Sequence, residues 1–405
     1  MNAMSDVKPP IADWATDFDH THPDYAAKAP EVWEEIRQSG CPVAHTERFG
    51  GAWLPVNHAD VSAIAHDTEH FSSEFVIVND FKPDGSTRPM GFAPPITSDP
   101  PFHQESRRIL LPAFSPREID KWEPATRKVC NELLDAIELM DGDIDAARDY
   151  TQHIPVRVIA EMLGLPEDDG DKFRGFIYRI LEQPGVDHNM QYEDTLDFYL
   201  RSKIEERELN PKDGDLIDFL MKAEMGGEKL TGDHIGGTIA LLLIAGIDTT
   251  WSAIGASLWH LAQHPEDRKR LVDDPAVLPF AVEEFLRLYA PVTMARIVAK
   301  DVEIGGVCMR EQDWTLLPFP AANRDPLAFE NADQFVIDRE RNRHVAFGLG
   351  IHRCLGSNLA RMELTIAIDE WMKRFPNFEL SDTASVRWST GQVRGPRELP
   401  VKIIR

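Results

Sequence analysis

The sequence predicts a mainly α-helical protein with a small β-rich portion. Apolar residues recur at helical spacing through most of the chain, and the longest such run follows Thr231, a predicted helix cap, and continues to about residue 261. Strand-like alternation is confined to a hairpin over residues 43–56, which turns at Gly50 and Gly51, and to residues 386–405. Residues 1–30 are rich in proline and aspartate and are predicted to form a loosely packed arm, which a short helix over 31–39 follows.

Further helices follow from the same spacing, and one long segment lacks any period. Helices are predicted over residues 60–66, 101–114, 119–140, 154–163, 196–208, 280–288 and 355–375. Residues 71–100 combine apolar side chains with glycines and prolines and show neither a helix nor a strand pattern. A loop this long and this apolar is uncommon, so it either forms the wall of a pocket or packs as an irregular part of the core.

Composition limits the class of protein. The chain has 405 residues, 42% of them hydrophobic, and by length alone two or three domains would be expected. The formal charge of −25 argues against binding of nucleic acid or anionic membranes. The few, widely separated cysteines and the absence of a signal-peptide pattern indicate a cytoplasmic protein, and the longest apolar run, 239–247, is too short to span a membrane.

A glycine-rich stretch places a single thiol directly before the last predicted helix. It runs from Phe347 to Gly356 as Phe-Gly-Leu-Gly-Ile-His-Arg-Cys-Leu-Gly. The glycines permit a tight turn, and the amides and positive end of the helix favour a thiolate at Cys354. These features are also compatible with a buried, inert cysteine, or with a zinc site that includes His344 and His352. Zinc is the weaker alternative, because the chain has no paired-cysteine spacing.

This stretch resembles the cysteine-ligand loop of the cytochrome P450 family, the haem-thiolate monooxygenases. The family pattern, Phe-Gly-x-Gly-x-His/Arg-x-Cys-x-Gly, is filled at every fixed position. The resemblance extends from about residue 30 to the end of the chain. It implies a bacterial, soluble enzyme with one domain over residues 1–405, folded as a helical triangular prism that encloses haem b. Cys354 would be the iron ligand, with Phe347 and Gly348 beside the haem.

The resemblance assigns further residues to the haem propionates. The segment from Asp99 to Arg108 is similar to the family segment whose histidine and first arginine bind a propionate, which correspond to His103 and Arg107. Arg296 and His352 match further propionate partners. A dicarboxylate cofactor requires such partners, because an unpaired anion beside an apolar pocket is costly.

The longest predicted helix contains an unusual sequence, from Ala245 through Gly246, Ile247, Asp248 and Thr249 to Thr250. A mid-helix glycine costs roughly 1 kcal/mol relative to alanine, and Asp and Thr compete for backbone hydrogen bonds. Such a local conflict predicts either a kink that packing requires or a functional site. The resemblance implies an oxygen-binding groove, in which Ala245 and Gly246 face the haem while Asp248 and Thr249 supply protons.

The resemblance also implies a structural lock and a substrate pocket. Glu284 and Arg287 match the family's Glu-x-x-Arg pair, with Arg339 as the best third member. Around Pro184 and Gly185, two helices would form a mobile lid. The substrate contacts carried over by position are all apolar and predict a hydrophobic small molecule; besides residues of the 71–95 loop they are Leu241, Ile244, Ala245, Val292, Met294 and Val393.

The implied reaction inserts one oxygen atom of O2 into a C–H bond, or performs a related oxidation such as dealkylation. The chain has no flavin or iron–sulfur motif, so electrons would come from a separate ferredoxin- or flavodoxin-type donor, and the protein is expected to be a monomer. Six arginines in segments expected around the thiolate form a candidate docking patch, although some of them would be solvated or bind propionates: Arg107, Arg108, Arg341, Arg343, Arg353 and Arg361.

Two alternatives to this reaction share the same fold. One is a peroxide-driven oxygenase, which would not need the acid and the alcohol at Asp248 and Thr249, so the presence of both residues argues against it. The other is a non-catalytic haem protein that senses or stores a ligand.

Overall fold

Helices make up most of the structure, which confirms the predicted fold class. The computed structural model describes residues 9–41, 43–78, 91–183, 188, 191–382 and 385–404. Helices α1 to α14 span, in order, Pro23–Gln38, His58–His66, Phe102–Leu110, Pro116–Ile119, Glu123–Glu138, His153–Leu163, Gly170–Ile177, Leu196–Leu209, Leu216–Lys222, Gly232–Gln263, Pro265–Asp273, Leu278–Leu288, Phe319–Ala322 and Ser357–Arg374.

The strands are short and belong mainly to two sheets. Strands β1 to β14 span, in order, Val43–Thr46, Ala52–Pro55, Phe71–Ser72, Ile144–Asp145, Glu224–Met225, Glu228–Lys229, Thr293–Val298, Val302–Ile304, Val307–Met309, Trp314–Pro318, Phe378–Leu380, Arg387–Trp388, Pro396–Glu398 and Pro400–Ile403. The larger sheet has the order β1-β2-β10-β7-β3, and a second sheet has the order β11-β14-β4. The β1–β2 hairpin is the one that the sequence predicted, whereas β7 to β10 were not predicted.

Helix α10 is the central element of the core. The Thr231 hydroxyl caps it by accepting a hydrogen bond from the His234 amide at 3.2 Å. The helix packs against α6, α8 and α14, and separate apolar clusters cover its two halves. It is long and apolar enough to cross a membrane, but 78% of its most apolar stretch is buried inside the protein. Its composition is therefore that of a core helix.

The amino-terminal segment is packed rather than loose. Residues 1–8 lie outside the described part of the chain, but Trp14, Phe18 and Tyr25 are buried, and the Phe18 ring lies 4.8 Å from that of Trp33. Helix α1 begins at Pro23, earlier than the predicted 31–39, because the His22 side chain accepts a hydrogen bond from the Asp24 amide. The predicted loose arm is therefore wrong for residues 9–30, where aromatic burial offsets the proline content.

The first described residues of the long apolar segment after β3 belong to the core. Phe75, Val76, Ile77 and Val78 are buried in apolar clusters, as the irregular-core alternative predicted. Other residues considered there and in the lid hinge lie outside the described residues: Asp80, Phe81, Pro83, Asp84, Gly85, Arg88, Pro89, Pro184 and Gly185.

Candidate functional site

The loop that precedes α14 is held in a conformation that requires its glycines. Gly348 has φ 67° and Gly350 has φ 64°, in the left-handed region that favours glycine. A Cβ on Gly348 would meet the Phe319 ring at 3.4 Å, and one on Gly350 would overlap the Ala65 carbonyl oxygen. The Cys354 amide donates a hydrogen bond to the Phe347 carbonyl oxygen at 2.7 Å. The loop is thereby fixed against α2 and α13, and α14 begins just after the cysteine.

The Cys354 thiol faces an interior cavity that α10 borders on the other side. The cavity is lined by Cys354, Phe347 and Gly348 from the loop and by Ala245 and Thr249 from α10. The open space within it, including its mouth, is about 1470 Å³. Most of its lining is apolar, as is usual for small-molecule sites.

The protonation of Cys354 is set by opposing effects. Burial raises the pKa of the thiol, while the Gly356 amide and the guanidinium groups of Arg107 and Arg353 lower it. The amide and the guanidinium groups therefore favour the thiolate, as expected from the sequence, and reduce the cost that burial imposes on ionisation. A metal ion bound to the sulfur would complete the ionisation, because it is the thiolate that ligates metals.

Two histidines, His103 and His352, meet beside the cavity. Their rings lie 4.1 Å apart, and within the part of the chain that the structure describes, both His103 nitrogens and the His352 Nε2 are buried with no partner. Burial, followed by the charge of Arg107, lowers the pKa of His103 to about 4. Burial, followed by the charge of Arg296, lowers the pKa of His352 to about 2. Both rings are therefore neutral at pH 7, and unsatisfied buried nitrogens of this kind require a partner.

The two arginines at the same edge also lack carboxylate partners. Arg296 is buried and donates only to the Ala295 carbonyl oxygen, at 2.7 Å, and burial lowers its pKa to about 10. Arg107 donates to the Arg353 carbonyl oxygen. Neither guanidinium forms an ion pair with an acidic group in the described part of the chain. An uncompensated buried cation is costly, so this edge of the cavity fits an anionic ligand.

These groups together fit haem. Haem presents a metal for the Cys354 sulfur, an apolar macrocycle for the cavity, and two carboxylates for His103, Arg107, Arg296 and His352. His103 is the one member of this polar set that does not line the cavity wall itself; it lies behind His352.

Helix α10 presents one face to the cavity. Leu241, Ala245 and Thr249 are spaced by four residues and all line it. The Thr249 hydroxyl donates a hydrogen bond to the Ala245 carbonyl oxygen at 2.9 Å, so its proton points toward the helix backbone. Gly246 lines the cavity through its backbone, and a Cβ there would meet the Ile159 side chain at 3.3 Å, so the glycine also serves the packing of α10 on α6.

Asp248 faces away from the cavity wall and binds Arg397 of β13. The carboxylate Oδ1 accepts from Arg397 Nη2 at 2.7 Å, while Oδ2 is buried without a partner. Burial raises the pKa of Asp248 to about 6, although the charge of Arg397 opposes this shift. Arg397 also binds Glu182 at 2.8 Å and the Ser252 hydroxyl at 3.1 Å, and its guanidinium lies 4.2 Å from the Trp251 ring. No sequence pattern indicated Arg397, which is remote from Asp248 in the chain.

The apolar cavity wall agrees in part with the predicted substrate contacts. Leu241, Ala245, Val292 and Met294 line it, and Pro95 and Ile96 add the end of the loop before α3. Ile244 and Val393 do not line it: both are buried in the apolar cluster behind the wall, where Val393 pairs with Val292.

The Glu284 carboxylate is the centre of a buried lock below the loop. It binds Arg287 at 2.8 Å through both oxygens, and Arg339 Nε donates to it at 3.0 Å. Arg287 also donates to the carbonyl oxygens of Asn323, Ala332 and Gln334. The lock therefore fixes the segment that leads to Cys354, because leaving any of these buried charges unpaired would be strongly destabilising.

The six predicted surface arginines differ in their contacts. Arg361 is half-buried, binds Glu283 through both of its carboxylate oxygens and lies 4.5 Å from the Phe347 ring, and Arg107 turns toward the loop. These two therefore belong to the loop rather than to an open patch. The other four are exposed and form no ion pair with any described residue: Arg108, Arg341, Arg343 and Arg353.

A further acid on the cavity wall was missed. Glu363 of α14 is 1% exposed, its Oε2 has no partner, and burial holds its pKa well above the usual range. Its position on a helix, nine residues after Cys354, did not indicate a buried carboxyl group, because acids on helices normally face water.

Comparisons with known proteins agree with this geometry. A family model described as cytochrome P450 matches residues 176–392. The chain is 33% identical over 397 residues to the vitamin D(3) 25-hydroxylase of Pseudonocardia autotrophica, covering 95% of this chain and 94% of that protein. It is also 33% identical over 358 residues to the mycinamicin IV hydroxylase/epoxidase of Micromonospora griseorubida, covering 86% and 89%. The crystal structure of CYP109E1 from Bacillus megaterium in complex with testosterone superposes with a TM-score of 0.85 at 31% identity, covering 95% of this chain and 100% of that one.

Proposed function

Since the chain belongs to the cytochrome P450 family and is a haem-dependent monooxygenase, we propose that Cys354 is its iron ligand and that Asp248 and Thr249 deliver the protons. The observation that carries this proposal is the cavity shared by Cys354 and Thr249, with unpartnered polar groups at its edge. When bound, haem b with a thiolate ligand supplies the oxygen-activating chemistry, because the thiolate donates electron density that favours O–O cleavage.

The polar edge of the cavity holds the two haem carboxylates. Arg107 and Arg296 supply positive charge, and the neutral rings of His103 and His352 each donate one N–H. Charge-assisted hydrogen bonds of this kind are roughly twice as strong as neutral ones. This role explains why buried nitrogens and guanidinium groups gather at one edge of an otherwise apolar cavity.

Proton delivery starts from Asp248 and ends at the cavity through Thr249. A carboxyl group with a pKa near 6 is suited to hold a proton and release it close to neutral pH. Its free Oδ2 carries that proton, while Arg397 keeps Oδ1 in place. The Thr249 hydroxyl is the group that reaches the cavity, so it passes protons toward oxygen on the side opposite Cys354.

The substrate is a hydrophobic organic molecule, which the enzyme hydroxylates at a C–H bond or oxidatively dealkylates. The wall formed by Pro95, Leu241, Val292 and Met294 supports this assignment, because it excludes water and offers few polar contacts. Two of the similar proteins carry names that refer to vitamin D(3) and testosterone, which are molecules of this kind.

Replacing Thr249 by alanine is expected to separate electron consumption from product formation. With a redox partner and O2 present, electrons should continue to flow, but most should appear as hydrogen peroxide because the last proton donor at the cavity is lost. Product and peroxide are measured per electron consumed. The matched control is Ser257→Ala, since the Ser257 hydroxyl makes the same backbone contact two turns further along α10, to the Ala253 carbonyl oxygen at 2.8 Å.

The two alternative functions give different results in this experiment. Undiminished product from Thr249→Ala with redox partner and O2 would exclude the proton role of Thr249. If the wild-type protein formed product only with added peroxide, it would be a peroxide-driven oxygenase. If the wild type formed no product under either condition, it would be a ligand-binding protein. Neither alternative is favoured, because similar proteins are named hydroxylases and epoxidases.

Electrons come from a separate redox partner, which we propose is an acidic ferredoxin or flavodoxin. The exposed arginines Arg108, Arg341, Arg343 and Arg353 support this proposal, because they are unpaired cations on a chain with a net charge of −25. A local positive patch on such a background would orient an acidic partner toward the loop that carries Cys354.

Charge reversal in this patch is expected to slow reduction without affecting substrate binding. Arg108→Glu and Arg343→Glu should each lower the rate of reduction by the partner about tenfold at low salt, with the difference shrinking as salt increases. Stopped-flow reduction and substrate-induced spectral titration provide the two readouts. Arg310→Glu is the control, because Arg310 is exposed but pairs with Asp301, which directly precedes β8. If both patch variants are reduced at the normal rate, the docking surface is elsewhere.

We also propose that residues 1–405 act as one domain, in a monomer, in the cytoplasm. The central helix α10 contacts helices from both halves of the chain, which supports a single unit. All residues assigned to the site come from one chain, so a monomer suffices. The cysteines Cys41, Cys130, Cys308 and Cys354 are all free, which suits a reducing compartment.

A further inference from the structure

A second set of metal-ligand side chains lies outside the haem cavity, where α10 meets α11. His260 is in the last turn of α10, His264 ends that helix, and Asp267 is in the first turn of α11. One ligand atom from each of these residues lies within 4.8 Å of the other two. His260 is almost fully buried, whereas His264 and Asp267 are partly exposed, so an ion has access from solvent.

The hydrogen bonds of the two rings orient the same nitrogen toward the cluster. His260 Nδ1 lies 2.7 Å from the Tyr289 hydroxyl, and His264 Nδ1 lies 2.9 Å from Glu266 Oε1. The Nε2 atom of each ring is left for another partner, and that of His260 lies 2.8 Å from Asp267 Oδ2. Histidines that bind metals characteristically use one ring nitrogen for the ion and the other for a carboxylate or another protein oxygen.

The local charges also suit a cation. Asp267 and Glu266 supply negative charge, and the basic residues that follow them are bound elsewhere. Arg268 donates to the Leu261 carbonyl oxygen, Lys269 pairs with Asp273, and Arg270 pairs with Asp274. No cation of α11 therefore competes for Asp267.

We propose that His260 Nε2, His264 Nε2 and Asp267 form a binding site for a divalent transition metal, for which zinc is the best-suited ion. Two imidazoles and one carboxylate are a zinc ligand set, and water completes the tetrahedron. The two rings are stacked 4.1 Å apart, and a rotation of the partly exposed His264 ring would turn its Nε2 toward an ion bound by His260. With the metal on Nε2, His260 carries its hydrogen on Nδ1 and donates it to the Tyr289 oxygen.

The site would join two helices beside the core of the protein. The His260 ring centroid lies 4.1 Å from that of Phe335 and 5.5 Å from that of Phe285. Phe285 is next to Glu284 on α12, and Phe335 precedes Val336, whose amide donates to Glu284. An ion that binds only the folded state stabilises it by mass action. The predicted role is therefore structural: the ion fixes the end of α10 against α11 and does not take part in oxidation.

Zinc titration of the haem-loaded, tag-free protein tests this proposal. In a Cys41→Ser, Cys308→Ser background, which removes the two exposed thiols other than Cys354, calorimetry should show one saturable Zn²⁺ site. Saturation should raise the thermal unfolding midpoint by roughly 2–5 °C. His264→Ala should weaken binding by about tenfold or more and remove the shift, and Asp267→Asn should do the same.

The control variant is His66→Ala, which removes an exposed histidine on α2 and should leave both the affinity and the midpoint shift unchanged. His264 is partly exposed, so its replacement is expected to leave the fold intact; an unchanged haem spectrum verifies this. The proposal is overturned if the background protein shows no saturable Zn²⁺ binding, or if His264→Ala and Asp267→Asn bind Zn²⁺ as tightly as the background protein does.

Discussion

Cys354→Ser is expected to abolish both the thiolate-type carbonyl spectrum and product formation. The reduced protein exposed to carbon monoxide should lose its strongly red-shifted Soret band, because a serine hydroxyl does not replace the electron donation of the sulfur. Serine has nearly the same shape, and the amide of residue 354 would keep its hydrogen bond to the Phe347 carbonyl oxygen. The loop should therefore fold as before, and the loss should be chemical rather than structural.

Cys308→Ser provides the matched comparison for this result. Cys308 is an exposed free thiol on β9, so the same substitution there should leave the carbonyl spectrum and the turnover intact. A red-shifted band that survives in Cys354→Ser would mean that another residue ligates the iron. Circular dichroism of both variants verifies that the helical content has not changed.

The loop around Cys354 could be predicted from sequence as one unit, because its residues are contiguous. The turn at Gly348 and Gly350, the thiol, and the start of α14 are all local properties of one short stretch, and the structure places them together. The polar edge was also accessible, since His103, Arg107, Arg296 and His352 each lie in a short recognisable segment. What such segments do not reveal is that both His103 nitrogens and His352 Nε2 find no partner among the described residues, because this depends on the packed structure.

Sequence patterns could not identify site residues whose environment depends on remote segments of the chain. Arg397 binds Asp248 although it lies 149 positions further along the chain, and no periodicity links strand β13 to the middle of α10. Glu363 was missed for the opposite reason: its position on an amphipathic helix gives no sign that its carboxyl is buried. Tertiary packing, rather than local pattern, determines both environments.

The substrate wall shows where a position on a helix can mislead. Leu241, Ala245 and Thr249 form one stripe of α10 and reach the cavity, whereas Ile244 and Asp248 form the neighbouring stripe and face other elements. A difference of one residue rotates a helical side chain by about 100°, so a contact carried over by position is sensitive to the exact orientation of the helix. The burial of the amino-terminal segment was likewise not evident from its own sequence, because it involves contacts with later residues, such as that of Phe18 with Trp33.

Asp248→Asn is expected to lower coupled product formation by about 10²-fold or more, which is the usual contribution of a positioned acid. Asparagine keeps the size of the side chain and an oxygen that accepts from Arg397, and Arg397 retains Glu182, so the site should remain assembled. In the wild type, the protonated fraction of Asp248 falls as pH rises through about 6, so product per electron should decline from about pH 5 to about pH 8. The variant, which cannot titrate there, should show little of this decline.

The same group makes a prediction for stability whose sign is fixed by linkage. The folded protein holds the Asp248 proton more tightly than the unfolded chain, because its pKa is raised from 3.8 to about 6. The corresponding stabilisation is fully present below the unfolded pKa and is lost as pH rises through the folded one. From about pH 5 to about pH 8, the wild type should lose on the order of 1 kcal/mol relative to Asp248→Asn, measurable as a change in the difference between their unfolding midpoints. A constant difference, together with parallel coupling profiles, would show that Asp248 stays ionised throughout and that the protons reach Thr249 from another group.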